Sequence, residues 1–156
     1  MTEQAIPNDP MTAEFDPIDP ASYPLWSAET VRYSDQDPLG HVNNNAYGIY
    51  FETARLDFFQ AADLRHGTMA DAAGVVRRLD MEFLRELTWP SDLRIGTRLV
   101  GLGKSSFSYR QGLFVGDVCH ALAFTVSVGF DLKTRSKVVL TDAHRTGLRR
   151  AGLPQG

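Results

Sequence analysis

The chain has 156 residues, 43% of them hydrophobic, and a formal net charge of −3, enough for one domain with its own core and far from the basic surplus of a nucleic-acid platform. The charge is uneven: residues 1 to 30 carry six acids and no lysine or arginine, so the remainder, with 16 bases and 13 acids, stands at +3, which suits a small phosphate-bearing ligand. Cys119 is the only cysteine, which excludes an intrachain disulfide, and no window approaches the roughly 20 apolar residues of a membrane span.

Residues 1 to about 25 hold five of the eight prolines among acids and small polar residues, a composition that favours neither helix nor strand. They are expected to form an extended arm ahead of a single domain at 26–156. Two forms of the arm stay open: a free tail, or a strap laid on a neighbouring surface through Phe15, Tyr23, Leu25 and Trp26. The N-terminus has neither a basic start nor an apolar run of signal length, so the expected location is the cytoplasm, with no membrane partner.

A short strand is predicted at 28–34 and a loop around Asp37. From about Asn44 to Ala62, Tyr47, Tyr50, Phe51, Ala54, Phe58 and Ala61 recur at three and four, while Ile49, Leu56 and Phe59 make the other side apolar too. Such a helix is expected to be buried. Residues 63–73 read as a loop, after which the period changes to two: Leu79, Met81 and Phe83, then Leu93, Ile95, Thr97 and Leu99, then Phe107 and Tyr109, each alternating with polar or small residues. The longest run, Val118 to Phe130 in alternation with Cys119 to Gly129, predicts a central antiparallel strand, and residues 142–151 a short basic helix. The class is therefore α+β: an antiparallel sheet of about five strands wrapped around one long central helix. One helix covers only part of such a sheet, so a second copy is expected to cover the rest, most simply as a homodimer.

The chemistry gathers in residues 31–55. Asp37 and His41 stand four apart across Pro38, Leu39 and Gly40, and Asn43, Asn44 and Asn45 lead into the helix. Asparagine is among the best N-caps, and a helix start leaves up to four N–H donors and a partial positive charge, a setting for a developing oxyanion. A carboxylate at the same point would attack a carbonyl held there or activate water against it. The alternative is that Asp37 and Asn43 merely shape a turn. No His, Cys or acid cluster has metal-ligand spacing.

The string D-x-D-P-x-G-H-V-N-N-x-x-Y from Asp35 to Tyr47, followed by Tyr50-Phe51-Glu52-x-Ala54-Arg55, resembles the hotdog-fold acyl-CoA thioesterases of the 4-hydroxybenzoyl-CoA thioesterase superfamily. The resemblance covers roughly residues 28–140. It implies that Asp37 is the catalytic carboxylate, as nucleophile or general base, and that Asn44 supplies the backbone N–H that polarises the carbonyl. It implies hydrolysis of an acyl-CoA with no cofactor beyond the CoA of the substrate, by a homodimer or homotetramer whose subunits join edge to edge with the sites between them.

The Gly-His-Val-Asn-Asn form is closer to bacterial fatty acyl-CoA thioesterases and plant acyl-carrier-protein thioesterases than to the 4-hydroxybenzoyl enzymes. The plant enzymes' downstream glutamate corresponds to Glu86, while Leu39 and Leu87 stand where they have asparagine and cysteine. His41 is then expected to orient the nucleophile or bond the substrate, or else to close its own loop. Asn43, Tyr47, Lys104, Ser105 and Ser106 are the candidate substrate contacts, the last three near the CoA phosphates. Two rivals remain: an enoyl-CoA hydratase or dehydratase on the same fold, whose usual offset between acid and base is five rather than four, and a non-catalytic acyl-CoA binder.

Overall fold

A computed structural model describes residues 8–64 and 72–155. The elements run β1 (Leu25–Thr30), α1 (Asn44–Ala61), β2 (Ala72–Phe83), β3 (Asp92–Leu102), β4 (Ser106–Val115), β5 (Val118–Asp131), β6 (Ser136–Lys137) and α2 (Asp142–Gly152). The sheet is antiparallel in the order β1-β3-β4-β5-β2, with the two-residue β6 added at the end of β5. Five strands wrap one long helix, as the alternation implies. The first strand begins earlier than expected, at Leu25, and ends at Thr30; Tyr33–Asp35 is a 3-10 turn instead. Of the predicted loop at 63–73, residues 65–71 lie outside the described ones.

The inner face of the sheet meets α1. Leu93, Ile95 and Leu113 are buried with Tyr47, Phe51 and Ala54, while Leu99, Phe107 and Tyr109 are buried with Phe58 and Phe59. In β5 the large residues do not supply this face: Ala121, Ala123, Thr125 and Ser127 do, all buried, and Leu122 and Phe124 point outward. The rings of α1 already fill the interface, so small residues opposite them let helix and strand approach. The helix is not buried all round either. Ile49 and Leu56 are exposed, and β2, at one edge of the sheet, leaves Leu79 and Phe83 more than a third exposed.

The β3 and β4 part of the outer face is covered by the arm, whose residues 8–24 are a strap on the body rather than a free tail. The Tyr23 ring lies against Gly96 and Gly112, where a built Cβ would come within 2.5 and 2.9 Å of it, and its hydroxyl donates to the Pro17 carbonyl at 2.6 Å. Arg98 donates to the carbonyls of Ser22 (2.9 Å) and Pro10 (3.1 Å) with Phe15 stacked on its guanidinium. Asp9 is buried against Arg149 of α2 at 2.7 Å. Of the four expected anchors, Phe15, Tyr23 and Trp26 hold the outer face; Leu25 packs inward on the Phe58 cluster.

Candidate active site

The Asp37 loop is a small hairpin. Asn43 N–H donates to the Asp35 carbonyl at 2.8 Å, Gln36 and Val42 form a bridge, and Asp37 N–H donates to the His41 carbonyl at 3.0 Å. Gly40 closes the tip with φ of 85°, a conformation that a Cβ disfavours. Val42 N–H donates to the Leu87 carbonyl, tying the hairpin to the segment after β2. Asp37 and Asn44 lie on opposite strands of the hairpin, about three residue steps apart along it, roughly 10 Å at ~3.3 Å per step.

Hydrogen bonds divide the groups in this gap into used and free ones. Asp37 Oδ1 accepts Leu39 N–H at 2.9 Å, an Asx-type turn, and no donor among the described residues reaches Oδ2. Asn43 caps α1, its side-chain oxygen accepting Asn45 N–H at 2.8 Å, and its carbonyl accepts Ala46 N–H. Asn44 N–H has no acceptor among the described residues. One helix-start donor and one carboxylate oxygen are thus open on neighbouring segments.

The remaining expected residues sort as follows. His41 Nδ1 donates to the adjacent Val42 carbonyl at 3.1 Å, so this nitrogen is used within its own loop and Nε2 is the one left for another partner. Tyr47 is buried between Tyr50 and Phe83, and burial raises its hydroxyl pKa. Glu86 is exposed on the segment bonded to Val42; its carbonyl faces His120 Nδ1 and its carboxylate contacts neither Asp37 nor Asn44. Lys104, Ser105 and Ser106 form the turn between β3 and β4. The Asp37 loop lies at the opposite end of β3, where Val31 N–H bonds Ser91, so the two groups are on the order of 35 Å apart in one chain.

Sequence reasoning gave no separate role to Asp35 and read Tyr50 as a packing residue of the buried helix. The Tyr50 hydroxyl donates to Asp35 Oδ2 at 2.5 Å, and burial followed by the Asp35 charge pushes its pKa up. The D-x-D spacing was the available signal, but nothing local ties Asp35 to a side chain fifteen positions on.

The family model of the thioesterase-like superfamily matches residues 31–155. The chain belongs to that superfamily. Like other solved members, this thioesterase-like chain has the hotdog fold. It is similar to a thioesterase of Thermus thermophilus solved with coenzyme A and zinc, at 30% identity and a TM-score of 0.71 over 83% of this chain and 94% of that one. It is also similar to YbaW, a probable thioesterase of Escherichia coli, at 26% identity and a TM-score of 0.72 over 81% and 98%. The uncharacterized protein YsmA of Bacillus subtilis is 29% identical over 87 residues, and the match spans 56% of this chain and 58% of that protein.

Among the described residues, two recesses of this thioesterase-like chain can be placed away from Asp37. One of about 260 Å³ opens on the outer sheet face between Arg78, Asp80, Glu82, Arg110 and Phe124; the other, about 430 Å³, lies between Pro10 and the end of α2. Among the described residues, no group of three or more His, Cys, Asp or Glu could hold a metal ion, and no helix is long and apolar enough to cross a membrane.

Proposed function

We propose that this chain hydrolyses an acyl-CoA thioester to the free acid and CoA. The observation that carries this reading is the pair of open groups at the mouth of α1: among the described residues, nothing pairs the Asn44 N–H or the Oδ2 of Asp37, which stands on a hairpin bonded to the helix cap. The thioester carbonyl accepts from Asn44 N–H, whose position at the positive end of α1 stabilises charge growing on that oxygen. Asp37 attacks the carbonyl carbon or takes a proton from the attacking water. The C–S bond then breaks, the thiolate leaves and takes a proton, and water supplies the acid's second oxygen.

The acyl and nucleotide ends of the substrate call for a second copy of the chain. Three features of the described residues support it: β2 has a free edge, Leu79 and Phe83 lie uncovered beside α1, and Nη1 of the buried Arg55 has no hydrogen-bond partner. Antiparallel joining of two β2 edges brings the Phe83 end of one copy, next to Tyr47, toward the Ala72 end of the other. The Lys104–Ser106 turn lies at that latter end, because Ser105 bonds Gly129 opposite Gly74. The phosphate contacts expected at Lys104, Ser105 and Ser106 then come from the partner.

The test is release of free thiol from a panel of acyl-CoA substrates by purified protein, with Asp37→Asn losing at least about 100-fold in kcat. Equal rates for the two proteins would remove Asp37 from the chemistry. Loss of the conjugated double bond of crotonyl-CoA without thiol release would replace hydrolysis by hydration.

A further inference from the structure

Asp35, not Asp37, is the better-held acid of the pair. Its Oδ2 accepts the Tyr50 hydroxyl at 2.5 Å and Arg32 N–H at 2.9 Å, and its carbonyl accepts Asn43 N–H at 2.8 Å. Tyr50 is on the second turn of α1, six residues beyond Asn44, and is only 3% exposed, so the hydroxyl is a fixed point on the helix body. Asp35 thus joins three things: the chain entering the hairpin, the residue that caps the helix, and the helix itself.

We propose that Asp35 and Tyr50 are positioning residues for the acid–oxyanion geometry, a tether that sets the distance between the Asp37 carboxylate and the Asn44 N–H. This rests on the hydrolase reading above and adds to it a division of labour within D-x-D. Asp37 follows Asp35 by two residues on one hairpin strand, and Asn44 follows Asn43 by one. Asn44 is fixed as the first residue of α1, and Asp37 is set against it by two contacts at the hairpin base, Asn43 N–H to Asp35 carbonyl and Asp35 carboxylate to Tyr50 hydroxyl, beside the Val42 N–H to Leu87 carbonyl bond. Without the hydroxyl, the Asn43 N–H to Asp35 carbonyl bond at the base of the hairpin opens more often, and the Asp37 side of the hairpin shifts against α1. A misplacement of about 1 Å is enough to cost on the order of 100-fold where orientation limits the rate.

The experiment compares Tyr50→Phe, Asp35→Asn, Asp35→Ala and the double variant Asp35→Ala/Tyr50→Phe. Tyr50→Phe keeps the buried ring and should lower kcat about 10-fold with KM within about twofold of the parent. Asp35→Asn keeps one acceptor oxygen and should stay closer to the parent than Asp35→Ala, and the double variant should be no slower than Asp35→Ala alone. Parental kcat in Tyr50→Phe, or equal losses for Asp35→Asn and Asp35→Ala, would overturn the proposal.

A second readout needs no turnover. Amide hydrogen exchange at Asn43 should speed up at least about 10-fold in Tyr50→Phe while β4 amides are unchanged, and an unchanged Asn43 rate would also overturn it. Failure of Asp37→Asn to slow hydrolysis would instead strike the hydrolase reading and leave the exchange result standing.

Discussion

The same substitution, glycine to alanine, should have opposite signs in the two helices. At Gly147 in α2, a built Cβ overlaps the backbone carbonyl oxygen of Ala62 and lies 3.1 Å from its carbon; at Gly48 in α1, nothing stands within 4 Å. Alanine gains about 1 kcal/mol over glycine inside a helix, and at Gly48 that gain stands alone. At Gly147 the obstacle is main chain at the end of α1, which cannot rotate aside, so α2 must move off α1 and loosen the buried Leu148 and Leu153. Overpacking of this kind costs about 1–3 kcal/mol, and with a rigid obstacle we take the upper end, leaving a net loss of about 2 kcal/mol. For a chain of this size Tm moves roughly 2–4 °C per kcal/mol, so Gly147→Ala should fall by about 4–8 °C and Gly48→Ala rise by about 2–4 °C. Thermal melts followed by far-UV circular dichroism decide it. A Gly147→Ala protein melting at or above the parent would refute the close crossing of the helices.

Two further outcomes are expected. His144 closes the N-terminal box of α2 by accepting Thr141 N–H on Nδ1 at 3.0 Å, which only the unprotonated ring can do, and burial holds its pKa below 6.5. The unfolded chain then binds the proton first, so stability should hold above about pH 7 and decline as pH falls through about 6.5 toward the lowered folded value; His144→Gln, which keeps a capping-box side chain without a titrating ring, should lose that part of the decline in urea melts at about pH 7.5 and 5.5. If both proteins show the same difference, His144 is not its source. Tyr23→Phe removes only the hydroxyl that holds the Pro17 carbonyl and should cost about 1 kcal/mol in urea unfolding, whereas an unchanged midpoint would mean that the ring alone anchors the strap.

The long helix and the reactive loop were legible because their signals are local: threefold and fourfold spacing for α1, a cap-forming asparagine run, and an acid beside proline and glycine. The strand count followed from period two. Which face of β5 points inward was not legible, since alternation alone has no sign; the aromatic bulk of α1 decided it, and Ala121 and Ala123 went inside. The exposure of Ile49 and Leu56 likewise depends on how much of the helix one sheet can cover. Lys104 was set near the CoA phosphates by resemblance, and its distance from the Asp37 loop within a single chain was not legible, because it depends on the length of the strand between them. Asp35 was in plain view, but its meaning depends on Tyr50 coming round to meet it, a long-range contact that no window of the sequence contains.

The strap over the outer face separates two lengths of this chain that are easily confused. The segment shared with the superfamily begins at residue 31, yet β1 and Tyr23, which roofs Gly96 and Gly112, precede it, and the buried Asp9 reaches α2 from further back still. A fragment trimmed to the shared segment would carry every group of the α1 mouth and lack both the sheet's outermost partner and the lid over its thinnest spot. What descent has kept in common and what must be present for the chain to hold its shape are therefore not the same stretch of residues.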